Sequence, residues 1–136
     1  MVALVLDCSV TMTWFIPDEA AAQDRALRER VTDEGAIVPA LWPIEVGNAF
    51  VFAVRGRRAS AELRAAALEA LGQLPIEIDD QTLSRVWSDA LALADRFRLT
   101  LYDACYLELA QRRELPLASR DRDLRNAARK LGTPLL

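Results

Sequence analysis

The sequence predicts an α/β fold, a short and mostly parallel central sheet of four or five strands with helices on both faces. Three observations carry that expectation. Short apolar runs rich in β-branched residues recur along the chain, helical patterns separate them, and Pro or Gly marks most junctions. Strands buried on both faces read as continuous apolar runs, as these do. At 136 residues the chain suits one domain spanning residues 1–136.

Val2 to Leu6 is the first buried strand, ending at Asp7. Ser9 to Ile16 reads as a helical turn or two, stopped by Pro17. Asp18 is expected to cap a helix to about Val31, closed by Asp33-Glu34-Gly35. Ala36 to Pro39 is the second strand, and Pro43 opens a helix through Val54. A helix follows from Ser60 to about Leu74, and Ile76 to Ile78 is a minimal third strand. Asp80 to Arg96 is expected as one helix with Leu83, Val86, Trp87, Leu91 and Ala94 on its apolar face. Thr100 to Arg113 is another helix, Pro116 to Ser119 the fourth strand and Asp121 to Leu131 the last helix. Thr133 to Leu136 would supply the fifth strand.

Composition narrows the chemistry. The longest apolar run, Ala36 to Ile44, has nine residues and two prolines, where a membrane span needs roughly 18. The N-terminus has no basic segment before its apolar run, unlike a signal peptide. A soluble cytoplasmic protein is expected. Cys8 and Cys105 match neither a zinc-ligand spacing nor a disulfide framework. Histidine is absent, which removes Ser-His-Asp and Cys-His nucleophiles and His-ligated zinc. Hydrolysis by this chain would need carboxylates, metal, or both.

The net charge of -3 is unevenly spread. Residues 112–130 carry seven basic and three acidic side chains, and residues 55–64 four basic and one acidic. Sixteen of the 17 basic residues are arginine, suited to forked phosphate contacts. Solvated helix faces are the alternative reading of both patches.

Ligands of parallel sheets bind at the carboxyl ends of the strands. Asp7 closes the first strand, Glu45 begins the helix after the second, and Asp121 follows the fourth; Asp103 lies in the first turn of its own helix. Singly, Glu45, Asp103 and Asp121 can be explained by helix capping and the helix dipole. An acid ending a buried strand, as Asp7 does, needs a partner. If the four converge, their mutual repulsion favours a divalent cation, and oxygen-only ligation suits Mg²⁺ or Mn²⁺.

Four stretches in order carry a family likeness: Val5-Leu-Asp7-Cys-Ser9-Val, Pro39-Ala-Leu-Trp-Pro-Ile-Glu45-Val-Gly-Asn48-Ala, Leu99-Thr-Leu-Tyr-Asp103-Ala-Cys-Tyr-Leu-Glu-Leu-Ala and Leu117-Ala-Ser119-Arg-Asp121-Arg-Asp123-Leu. Over residues 2–132 the chain resembles VapC-type PIN-domain ribonuclease toxins. The resemblance implies a PIN-like three-layer α/β/α fold. It also implies a Mg²⁺- or Mn²⁺-dependent endoribonuclease, with Asp7, Glu45, Asp103 and Asp121 as acidic ligands and Asp123 as an auxiliary acid. Ser9, Asn48 and Ser119 match supporting polar positions; the family usually has Thr where Ser119 stands. Implied partners are RNA, a VapB-type antitoxin and a second copy of the chain, with the apolar stretch Val46 to Val54 available for core and dimer contacts.

Arg120, Arg122 and Arg125, with Arg129 beyond them, and the separate group Arg55, Arg57 and Arg58 are candidate RNA contacts. Two alternatives share the fold: a housekeeping PIN nuclease for RNA processing or decay, and a non-catalytic PIN-like binding module. A receiver domain needs paired acids after the first strand and a lysine after the last. A haloacid-dehalogenase-like phosphatase needs Asp-x-Asp where this chain has Asp7-Cys-Ser9. Neither pattern is present.

Overall fold

A computed structural model describes residues 1–17 and 22–136. Its sheet consists of β1 (Leu4–Leu6), β2 (Ala36–Val38), β3 (Ile76–Ile78) and β4 (Leu117–Ala118), all parallel in the order β3-β2-β1-β4. The register aligns Val5 with Ile37 on one side and with Leu117 on the other. The chain runs outward from β1 through β2 to β3, then returns to β1's other flank as β4. The topological switch therefore lies between β1 and β4, where such sheets place their ligands. Residues 133–136 add no full strand, only a parallel bridge between Leu117 and Leu135.

The helices are α1 (Cys8–Thr13), α2 (Ala22–Glu34), α3 (Trp42–Arg55), α4 (Ala61–Gly72), α5 (Thr82–Arg85), α6 (Leu91–Phe97), α7 (Leu101–Arg113) and α8 (Arg122–Leu131). Three start on side-chain caps that the sequence signals: Ser60 for α4, Thr100 for α7 and Asp121 for α8 each accept a backbone N–H. The expected cap at Asp18 lies outside the described residues. Gly35 ends α2 with φ +81°, and a Cβ there would sit 3.1 Å from the Pro75 carbonyl oxygen, so that turn needs glycine.

The helix expected over 80–96 is present as consecutive helical segments over 82–97, but its expected apolar face is kept only in part. A π-helical turn, Val86–Ala90, separates α5 from α6, and one extra residue in a turn rotates everything after it. Leu91 consequently faces outward, as do Leu83 before the turn and Trp87 within it, with Trp87 87% exposed, while Ala90, Leu93 and Ala94 take the core.

Strands β1 and β2 are fully buried, and α7, packed on β1 and β4, buries every residue from Ala104 to Ala110. A helix surrounded this way shows no clean polar face. Its buried Glu108 is neutralised by Arg112 at 2.8 Å. Arg112 also forks onto Asp79, which follows β3, with nitrogen–oxygen distances of 3.1 and 2.7 Å. Thr82 donates to Asp79 and accepts the Ala40 N–H, joining this ionic knot to the turn between β2 and α3. Among the described residues no helix is long and apolar enough to cross a membrane.

Candidate metal centre

The carboxyl ends of β1 and β4 lie side by side, with the Asp7 N–H on the Ala118 carbonyl at 2.9 Å. This pairing brings together residues more than a hundred positions apart. Asp7 is buried, and its Oδ2 accepts two hydroxyls, Ser9 Oγ and Ser119 Oγ, each at 2.7 Å. Both hydroxyls also accept backbone donors, Arg120 N–H at 2.9 Å and Asp121 N–H at 3.0 Å. These bonds orient each serine as a donor toward Asp7 and fix the carboxylate. Burial raises the pKa of Asp7, the two serine hydrogen bonds oppose the rise, and the charge of Asp121 adds to it.

The other acids arrive on helix starts. Asp121 caps α8 through Oδ1, which accepts the Leu124 N–H at 2.8 Å. Glu45, in the first turn of α3, accepts Tyr106 Oη–H at 2.6 Å. Burial raises its pKa, the tyrosine opposes, and the charge of Asp7 adds. Asp103 stands in the first turn of α7, whose N-terminal N–H groups would favour an anion. Its pKa is nevertheless pushed up to about 7, first by burial and then by the charges of Asp121, Asp7 and Glu45. Four carboxyl groups from four separate segments thus share one electrostatic field.

That field is what a hard divalent cation relieves, and a set of carboxylates and hydroxyls is the donor chemistry Mg²⁺ and Mn²⁺ prefer. The residues fit such an ion in chemistry and charge. The cage itself is not preformed: among the described residues no three acidic or thiol side chains stand together as a ready ligand group. The physical reason is visible in the bonds above. Asp7 is turned to two serines, Asp121 to its helix cap and Glu45 to Tyr106.

Other sequence-stated candidates divide clearly. Ser9 and Ser119 join the acids directly, as described. Asn48 is exposed one turn beyond Glu45, and Asp123 points to solvent with Arg122 4.0 Å away. Arg120 and Arg125 flank the site: Arg120 reaches Asp24 at 3.3 Å, and Arg125 Nη1 donates to the Ser119 and Leu136 carbonyls at 2.8 and 3.1 Å. Arg55, Arg57 and Arg58 lie at the far end of α3, roughly 15 Å along the helix from Glu45. Arg55 stacks on Phe52 there, 5.9 Å from the ring centre. Sequence reasoning missed Tyr106. Its signal was position: one turn after Asp103, on the same face of α7. Burial and the nearby carboxylates hold its hydroxyl protonated, so it acts as a donor to Glu45.

The four-stranded parallel sheet with its helices matches a PIN-like α/β/α fold, and comparison with known proteins agrees. The PIN domain family model matches residues 4–130, and the chain belongs to that family, whose members are generally nucleases. Its fold is similar to PAE2754 from Pyrobaculum aerophilum, with a TM-score of 0.67 and 23% identity over 98% of this chain and 90% of that one. It is also similar to FitAcB from Neisseria gonorrhoeae, with a TM-score of 0.63 and 15% identity over 98% of this chain and 96% of that one. No curated protein sequence matches it.

Proposed function

We propose that the chain, one PIN domain over residues 1–136, is a metal-dependent endoribonuclease and the toxin of a toxin–antitoxin pair. The observation that carries the nuclease reading is the shared field of Asp7, Glu45, Asp103 and Asp121, expressed in the displaced pKa of Asp103. These four acids would hold Mg²⁺ or Mn²⁺. Such an ion supplies Lewis acidity, a more acidic bound water and charge neutralisation for phosphodiester hydrolysis. The chain's own groups do the positioning. Ser9 and Ser119 fix Asp7, Tyr106 fixes Glu45, and the Thr100 hydroxyl caps the helix turn that presents Asp103. Asn48 and Asp123 are outer positions in this reading, open to substrate rather than to the first ligands.

The toxin role rests on the VapC-type motifs and brings a VapB-type antitoxin as partner. A homodimer follows from the same resemblance. Of the stretch 46–54, Val46, Phe50 and Ala53 are buried, leaving Phe52, 61% exposed, with neighbouring Ile44 as contacts for a second copy. The test is cleavage of unstructured RNA by the purified chain with Mg²⁺ or Mn²⁺, then with EDTA, then with Asp103→Ala. Cleavage that needs the ion and the carboxylate is expected. Cleavage that persists in EDTA would defeat the metal reading. The housekeeping alternative is separated by expression in cells: growth arrest, relieved by the product of an adjacent small reading frame, marks the toxin.

A further inference from the structure

Three of the four acids reach the site with one carboxylate oxygen already committed to the fold. Asp7 Oδ2 accepts the Ser9 and Ser119 hydroxyls, each at 2.7 Å, which takes both lone-pair directions of that oxygen. Glu45 Oε1 accepts Tyr106 Oη–H at 2.6 Å, and Asp121 Oδ1 accepts the Leu124 N–H at 2.8 Å. Hydroxyl–carboxylate bonds as short as these are among the strong ones. Tyr106 is fully buried on α7, within a run from Ala104 to Ala110 that is buried throughout. Turning Glu45 Oε1 elsewhere would leave that buried hydroxyl without its acceptor, which is costly. Because Tyr106 follows Asp103 by one helical turn, α7 supplies one acid directly and holds a second from the same face.

Divalent ions differ in what they ask of a carboxylate. Ca²⁺ takes roughly six to eight oxygens, often two from one carboxylate. Mg²⁺ is smaller and demands a near-ideal octahedron, which the two oxygens of one carboxylate span too narrowly to fill. We propose that Tyr106, with Ser9 and Ser119, determines which ion the centre accepts, by holding one oxygen of Glu45 and one of Asp7 away from it. The inference rests on the metal reading above. Each of these acids is limited to one ligating oxygen, so the centre favours Mg²⁺ or Mn²⁺ over Ca²⁺. Tyr106 touches neither ion nor substrate and acts through Glu45, which makes it a positioning residue.

The experiment measures ion binding, separately from cleavage. The full chain is loaded with Mn²⁺, followed by electron paramagnetic resonance, and the ion is displaced with Mg²⁺ or with Ca²⁺. In the parent, Ca²⁺ should need about ten times the Mg²⁺ concentration for half displacement. Tyr106→Phe removes only the hydroxyl on Glu45, and Ser119→Ala one donor to Asp7. Each should lower that ratio about threefold or more, because a second oxygen becomes open to Ca²⁺. Ser119→Thr keeps the donor and should keep the parent's ratio. Circular dichroism checks that each variant is folded, and Ser9→Ala, at a less buried position, replaces any that is not. An equal loss of affinity for both ions would reduce these residues to a structural role and overturn the proposal. So would Ca²⁺ and Mg²⁺ displacing Mn²⁺ equally from the parent, a result that leaves the metal reading standing. No uptake of Mn²⁺ by the parent would remove the metal reading and the proposal with it.

Discussion

Replacing Asp103 with Asn should make the metal-free protein more stable at alkaline pH. In the fold this carboxyl ionises at about 7, against a reference value of 3.8. Below the reference value both folded and unfolded chains carry the proton, so the group does not affect the balance. Between the two values the unfolded chain ionises and the folded one does not, and stability falls as pH rises. Above about 7 the penalty is complete. A gap of roughly three units at about 1.4 kcal/mol each sets a ceiling of about 4 kcal/mol. Asparagine keeps the side-chain volume and the backbone N–H that Thr100 caps, and removes the charge. Urea unfolding in EDTA from pH 5 to 8.5 reads the effect. The gap between Asp103→Asn and the parent should widen by about 2 kcal/mol over that range. The parent's own slope also contains Asp7 and Glu45, whose pKa values are raised too, so the difference between the two curves is the informative quantity. Parallel curves would refute the shared field.

Other outcomes follow from the same geometry. Mg²⁺ or Mn²⁺ at a hundred times its Kd should stabilise the parent by about 3 kcal/mol through mass action, read as a rise in Tm, and Asp7→Asn should abolish the rise. Ser119→Ala removes one of two hydroxyls from a buried carboxylate, so it should cost about 1–3 kcal/mol in urea unfolding and weaken Mn²⁺ binding; an unchanged midpoint and affinity would dismiss its positioning role. Asp79→Ala removes the forked partner of Arg112 but leaves it paired with Glu108, and should cost about 1–3 kcal/mol. Because the Asp79 pKa is lowered by Arg112 and Thr82 despite burial, that contribution is present at neutral pH and is lost as pH falls below about 4. Light scattering at micromolar concentration should give the dimer mass, and Phe52→Ser should shift it toward the monomer; a monomer mass for the parent would rule out the dimer.

Most of the architecture was legible because strand burial leaves a local trace. β1 and β2 read as continuous apolar runs, and Ser60, Thr100 and Asp121 announce helix starts by chemistry that acts within four residues. What differed was the buried face around Trp87, where regular spacing implied one uninterrupted α-helical register. A π-helical turn depends on the fit of successive turns against α7 and leaves no periodic signature of its own. Of the four or five strands expected, four form, and at residues 133–136 apolar content secures one bridge at Leu135, since strand length depends on the partner available. The acids were legible as types and positions, while their environment was not. The Ser119–Asp7 bond spans 112 residues, and the Tyr106–Glu45 bond 61, distances over which no local pattern reports. Equally hidden was the Asp79–Arg112–Glu108 knot, since Asp79 ends its strand just as Asp7 does. Only the fold distinguishes them: Asp79 has an arginine, and Asp7 has serines and other acids.

Mn²⁺ binding followed by electron paramagnetic resonance tests the central claim most directly, because the signal of free Mn²⁺ falls as ions enter a site. The parent chain should take up Mn²⁺ at millimolar or lower concentration. Asp7→Asn and Asp103→Asn, each with the parent's circular dichroism spectrum, should bind at least about tenfold more weakly, as expected when one ligand of a shared set is lost. Uptake with the same affinity in all three proteins, or no uptake by the parent, would contradict a metal centre built from these carboxylates.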